Sequence, residues 1–204
     1  MAAAFLRSRL GQLISVLCIA ATMPMDADAQ ATKPAQVQAP QVSMKTSMGE
    51  IVIELYPDKA PKSVENFLGY VKEGFYSGTV FHRVISNFMI QGGGMTRDLK
   101  RKNTRGPIAI ESQNGLKNEV GAVSMARTGE PDSATSQFFI NTVANASLDF
   151  PAPDGYGYTV FGKVIKGMDI VNKIRAVPTM STGQLRDVPV DPIVIDSVTL
   201  IGVK

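Results

Sequence analysis

FHRVISNFMIQ, residues 81 to 91, runs into Gly92, Gly93 and Gly94, and it sets an arginine and the chain's one histidine inside an apolar strand pattern. Alternate side chains of a strand share a face. Phe81, Arg83 and Ile85 are therefore expected on one side, with His82 and Val84 on the other. The flanking Phe81 and Phe88 leave Arg83 two settings, an apolar cleft or a surface salt bridge. His82 reads either as a packed histidine bonded to backbone or as a substrate contact.

The segments around this stretch alternate in the same way. Val42 to Thr46 and Ile51 to Leu55 read as two strands joined across Met48-Gly49. PKSVENFLGYVKEG then places Val64, Phe67, Leu68 and Val71 at helical spacing, with Pro61 in the first turn and Gly74 past the end. Further strands are expected at Thr79 to Ile85, Phe88 to Gln91, Gly121 to Met125, Phe138 to Asn141, Tyr158 to Val164 and Ile193 to Val203. A second short helix is expected in GMDIVNKIRAV, where Ile170, Val171 and Ile174 share a face. Many short strands and two helices point to a mainly β fold, most simply a closed barrel whose open ends the helices cover. The glycines at 92 to 94 and 155 to 157 read as turns without phosphate-loop spacing.

The chain has 204 residues, 44% of them apolar, enough for one domain with a sizeable core. Ahead of it, residues 1 to 29 have the form of a secretory signal peptide: Arg7 and Arg9, an apolar run from Leu10 to Met23, and Ala27-Asp28-Ala29 before the expected cut. That run falls short of the roughly 20 residues needed to span a bilayer. Residues 30 to 41, rich in Ala, Gln and Pro, read as a flexible linker, and residues 42 to 204 as the domain. Cys18 lies in the leader, preceded by Leu17 rather than the small residue of a lipid-attachment signal. The mature domain, without cysteine, rests on its core. The net charge of +3 does not imply nucleic acid. RDLKRKNTR, residues 97 to 105, is the basic exception and reads as a solvated loop.

Nucleophilic catalysis needs a serine on a strained turn with an oriented histidine, and the chain has no G-x-S-x-G element. One histidine and no mature cysteine offer little for a metal. The residues instead resemble the cyclophilins, the peptidyl-prolyl cis-trans isomerases. Tyr76 and Thr79, then Phe81 to Ile85, Phe88-Met89 and Gln91-Gly92-Gly93 form one block of the likeness. GAVSMARTGEPDSATSQFFINT (121 to 142) and YTVFGKVIKGMDIV (158 to 171) continue it in order and spacing. With the leader, the chain is most similar to the periplasmic cyclophilins of Gram-negative bacteria.

The resemblance implies an eight-stranded antiparallel β-barrel capped by two α-helices. It also implies isomerase action on proline-containing polypeptides in the periplasm, by a monomer without cofactor or metal, without nucleic acid and without a membrane span once the leader is cut. Arg83 and Gln91 would be the catalytic groups. Phe88, Met89, Phe139 and Leu148 would hold the proline ring, with Ala126, Arg127, Tyr158 and His82 as further substrate contacts and the Arg127 backbone anchoring the peptide. A chaperone-like binding module with incidental isomerase activity is the alternative. Ser147 stands where many relatives carry tryptophan, which should weaken cyclosporin binding; Tyr158 stands for a pocket histidine, Arg127 for an asparagine and Gly94 for an acidic residue.

Overall fold

The computed structural model describes residues 39 to 202. The expected leader and most of the expected linker lie outside them. β1 (Gln41–Thr46) and β2 (Gly49–Leu55) form the expected hairpin. Thr46 shapes its turn: Oγ1 donates to the Gly49 carbonyl at 2.7 Å and accepts the Met48 N–H at 3.1 Å.

α1 (Pro61–Lys72) buries Val64, Phe67, Tyr70 and Val71. Its own N-cap, Ala60, offers no side-chain acceptor. Glu111, from a distant loop, accepts from the otherwise unpaired Lys62 and Ser63 N–H groups at 2.9 Å each, where a carboxylate also meets the positive end of the helix dipole.

The remaining elements are β3 (Thr79–Ile85), β4 (Met89–Thr96), β5 (Ala122–Met125), β6 (Phe138–Asn141), β7 (Val160–Lys166), α2 (Met168–Arg175), β8 (Thr179–Thr182), β9 (Leu185–Pro189) and β10 (Val194–Ile201). Eight strands close a wholly antiparallel barrel in the order β1, β10, β3, β4, β6, β5, β7, β2, so every edge is paired. Val42, Ile53, Phe81, Val123, Phe138 and Phe161 fill it, and Val64 and Phe67 of α1 and Val171 and Ile174 of α2 join the same core. Phe67 meets Phe138 edge-on at 5.7 Å, a geometry aromatic pairs prefer, and Phe161 at a tilt at 5.3 Å. No helix among the described residues is long and apolar enough to cross a membrane.

Three expectations need correction. Gly92 to Gly94 lie inside β4 and form no turn. A Cβ at Gly93 (φ +81°) would come within 2.7 Å of the Phe138 ring and 2.9 Å of Tyr76, and one at Gly94 would overlap Gln137, so the strand is kept bare to let neighbours cross it. Phe81 and Arg83 do not share a face. β3 pairs Phe81 with Gly92 but Arg83 with Gln91, so one extra residue bulges out; Phe81 stays in the core while Arg83 turns outward beside His82.

The third correction is the β8–β9 hairpin, a separate two-stranded sheet beside β3. All four β8 side chains are exposed, so no apolar alternation marks it in sequence. The basic stretch is a mostly exposed loop, as expected, with two of its cations tied to aromatic rings. Lys102 sits 4.4 Å over the Phe75 ring and donates to the Phe75 carbonyl, and Arg105 lies 4.8 Å over Tyr70 and pairs with Glu73.

Candidate active site

The registers of three neighbouring strands bring the site together. Arg83 on β3 stands opposite Gln91 on β4, and Gln91 stands opposite Phe139 on β6. Side chains on one such rung are about 5 Å apart on the same face, so a cation, an amide and a ring line up without any loop having to fold first. Met89, two residues before Gln91, shares that face.

The opposite wall comes from loops. Ala126 and Arg127 follow β5, Leu148 ends a 3-10 turn (Ala146–Leu148), and Tyr158 precedes β7. Together with Arg83, Phe88, Met89, Gln91 and Phe139 they line a half-open hollow of about 100 Å³. An apolar cavity of about 150 Å³ takes a benzene-sized ring, so this one suits a smaller ring with an edge left outside. Nine of the ten residues singled out in sequence therefore meet around one cavity. The tenth, His82, does not; it lines a different hollow, under the β8–β9 hairpin with Met180 and Val188. Burial holds its imidazole down at about 4, so it is neutral across the ordinary pH range.

Loop residues need fixing, and the chain supplies several ties. Phe139 and Tyr158 meet nearly edge-on at 5.7 Å. The Arg127 guanidinium lies 4.4 Å over the other aromatic partner, the Tyr158 ring, and donates to the Gly157 carbonyl at 2.9 and 2.8 Å. It also pairs with Asp154, whose carboxyl is held well below the usual range by that guanidinium and by the Gly157 and Tyr156 N–H groups. The Arg127 side chain is only 2% exposed. Arginine at this position is thus a clamp on the aromatic wall, beyond the backbone anchor that the resemblance implies.

Phe88 is held by a chain of buried amides. Asn145 donates to the Phe88 carbonyl at 2.8 Å and to Asn141 Oδ1 at 2.7 Å, while Asn118 accepts from Ser124 at 2.7 Å and donates through its backbone N–H to Asp149 at 2.7 Å. Gln91 is steadied similarly: its Nε2 donates to Gln137 Oε1 at 2.9 Å, and Gln137 lies across Gly94. A glycine at 94 is what admits that second glutamine. Asn118, Asn141, Asn145 and Gln137 were not legible as site residues, because amides scattered through strands and loops carry no periodic signal.

Among the described residues, no group of three or more His, Cys, Asp or Glu side chains is placed to hold a metal ion. The cavity lining contains no serine, cysteine, histidine or carboxylate. A closed barrel with a small ring-lined hollow and a guanidinium on its rim offers a seat for an apolar ring beside a positive charge.

Comparison with known proteins supplies the family. Residues 41 to 200 match the family model described as cyclophilin type peptidyl-prolyl cis-trans isomerase/CLD. A peptidyl-prolyl cis-trans isomerase of Acinetobacter baylyi is 57% identical over 159 residues, covering 78% of this chain and 84% of that protein. Peptidyl-prolyl cis-trans isomerase A of Dickeya dadantii is 48% identical over 192 residues, 94% of this chain and 96% of that one. A cyclophilin type isomerase of Cryptosporidium parvum, solved in the presence of the dipeptide Ala-Pro, superposes with a TM-score of 0.67 at 28% identity, covering 80% of this chain and 99% of that chain. The chain belongs to the cyclophilin-type peptidyl-prolyl cis-trans isomerases. Its reaction is rotation about the peptide bond that precedes proline.

Proposed function

We propose that Arg83 drives this rotation by stabilising the twisted amide, with the proline ring seated against Phe88, Met89, Phe139 and Leu148. The barrier to turning a peptide bond is about 18 to 20 kcal/mol, because the nitrogen lone pair is delocalised into the carbonyl. Twisting ends that delocalisation and returns a basic lone pair to the proline nitrogen. A cation aimed at that atom binds the twisted state better than either planar isomer. Guanidinium suits the task because it stays charged at any working pH and presents donors in a rigid fork. By analogy with oxyanion-hole donors, one such group accounts for about 3 to 4 kcal/mol, or two to three decades in rate.

The remaining contacts hold the peptide ready. Gln91, oriented by Gln137, donates to the carbonyl that swings, and the backbone at Ala126 and Arg127 anchors the chain in an extended pose. The rung of Arg83, Gln91 and Phe139 is the observation that carries this reading. Ser147 is exposed beside Leu148 and offers no aromatic shelf, which disfavours cyclosporin.

The substrates are proline-containing polypeptides folding after export, and the enzyme acts as a monomer in the periplasm. Supporting this is the leader pattern of residues 1 to 29, and the Dickeya relative aligns over 192 residues, more than the domain alone contains. Amino-terminal sequencing of the exported protein tests the compartment and should begin at Gln30. Protease-coupled turnover of a short X-Pro peptide tests the chemistry. Arg83→Ala is expected to lose about a hundredfold or more in kcat/KM while keeping its fold, and full turnover in that variant would refute the mechanism.

A further inference from the structure

The β8–β9 hairpin has no part in the mechanism above, yet it reaches the catalytic rung. Asp187 on β9 places Oδ2 3.8 Å from Nε of Arg83, with both side chains 41% exposed. That separation is too long for a hydrogen bond but close enough for an ion pair. The backbone at Asp187 adopts φ +59°, in the left-handed region that costs any residue except glycine.

The strain coincides with a bulge. β8 pairs Met180 with Val188 and Thr182 with Leu185, so β9 carries one extra residue in the stretch that contains Asp187. Arg83 sits at the matching irregularity of β3, where the register slips between Phe81 and Arg83. Bulges re-aim side chains, and here two of them, on strands that are not paired with each other, turn opposite charges together. Buried Val188 and Pro189 anchor the hairpin next to that contact. Glycine would relieve the strain at 187 but would leave no carboxylate there.

We infer that Asp187 is a positioning residue for the isomerase reaction, holding the Nε edge of the Arg83 guanidinium so that its two terminal nitrogens face the cavity. The planar fork has five donors in fixed geometry, so fixing one edge fixes the direction of the rest. An untethered arginine on a half-exposed rim would sample several rotamers, only some of them aimed at a proline nitrogen. The carboxylate raises the share of time spent in the productive one without touching the substrate. This inference rests on the reading of Arg83 as the catalytic group.

The test compares the full-length mature protein with Asp187→Asn and Asp187→Gly, both tolerant of the left-handed backbone, using an uncharged X-Pro peptide. A half-exposed ion pair is worth up to about fivefold in an equilibrium, so kcat is expected to fall about three- to fivefold in both variants with KM unchanged. Added salt should bring the wild type down toward the variants and leave the variants where they are. In an Arg83→Ala background, Asp187→Asn should change nothing further. The Nε–Hε resonance of Arg83 should move in both variants.

Unchanged or raised kcat in Asp187→Asn and Asp187→Gly would overturn the inference, as would an equal loss in the Arg83→Ala background. A rise in KM alone would also overturn it, assigning the hairpin to substrate contact. Should Arg83→Ala itself turn over normally, the reading of Arg83 fails first and separately. If Arg83→Ala is inactive and the Asp187 variants are not impaired, only the role of Asp187 fails.

Discussion

The two walls of the cavity are built on different principles. One is a strand rung, Arg83 to Gln91 to Phe139, whose spacing follows from barrel register. The other is a set of loops, in which a stacked, paired and buried Arg127 holds Tyr158 and the Tyr158 N–H donates to the Leu148 carbonyl at 2.9 Å. On the proposed mechanism the rigid strands carry the group that acts on the transition state, where small errors of placement cost rate. Loops suit the wall that admits and releases a chain. The comparison predicts that damage to the polar groups of the strand wall, Arg83 and Gln91, lowers kcat, whereas damage to the surfaces that seat the ring, the loop wall and Phe139, raises KM, with core stability lost only at Phe139.

Phe139→Ala should break this comparison most visibly, because Phe139 belongs to both the rung and the packed interior at 4% exposure. Removing a buried ring costs about 3 to 5 kcal/mol of stability, and the seat for proline goes with it. Chemical denaturation should show the first loss, and a KM raised more than kcat is lowered should show the second. Stability unchanged by this substitution would mean the ring is not part of the packed wall.

His82 offers a test from outside both walls. Its imidazole ordinarily titrates near 6.5, and burial lowers this to about 4 in the folded chain. Between those values the unfolded chain binds a proton that the folded chain refuses. The stability this contributes is whole above pH 6.5 and is lost as the pH falls toward 4, amounting to about 3 kcal/mol at most. Unfolding in urea across that range checks it, and His82→Gln should remove most of the slope. Turnover from pH 7 to 9 should stay flat, since rotation moves no proton.

Arg127→Ala sharpens the difference between the walls with a smaller effect. Losing a cation on a buried ring costs roughly 1 to 2 kcal/mol, so KM should rise about fivefold or more with kcat nearly kept. A loss confined to kcat would mean the loop wall shares the work assigned to the strands.

The sequence made much of this legible, unevenly. The strand alternation and the bounds of α1 could be read because burial repeats with the period of the element, and Thr79–Ile85 and Phe138–Asn141 fall where expected. Arg83 was found by its residue type in an apolar run, but its direction was not, because a bulge inserts one residue and reverses the expected face. Exposed β8 left no apolar pattern, which hid the hairpin and with it Asp187. Gln137 and the buried asparagines escaped because their role depends on partners many residues away. Gly94 had no meaning until the side chain crossing it was seen.

The central claim is that Arg83 binds the twisted amide and not the resting peptide. Exchange spectroscopy on an X-Pro peptide measures both the affinity and the rate of isomerisation in the bound state, for the wild type and for Arg83→Ala. The account predicts a bound-state rate slower by about a hundredfold or more, with peptide affinity within about threefold of the wild type. A variant that binds the peptide a hundredfold more weakly and isomerises what it binds at the normal rate would contradict it.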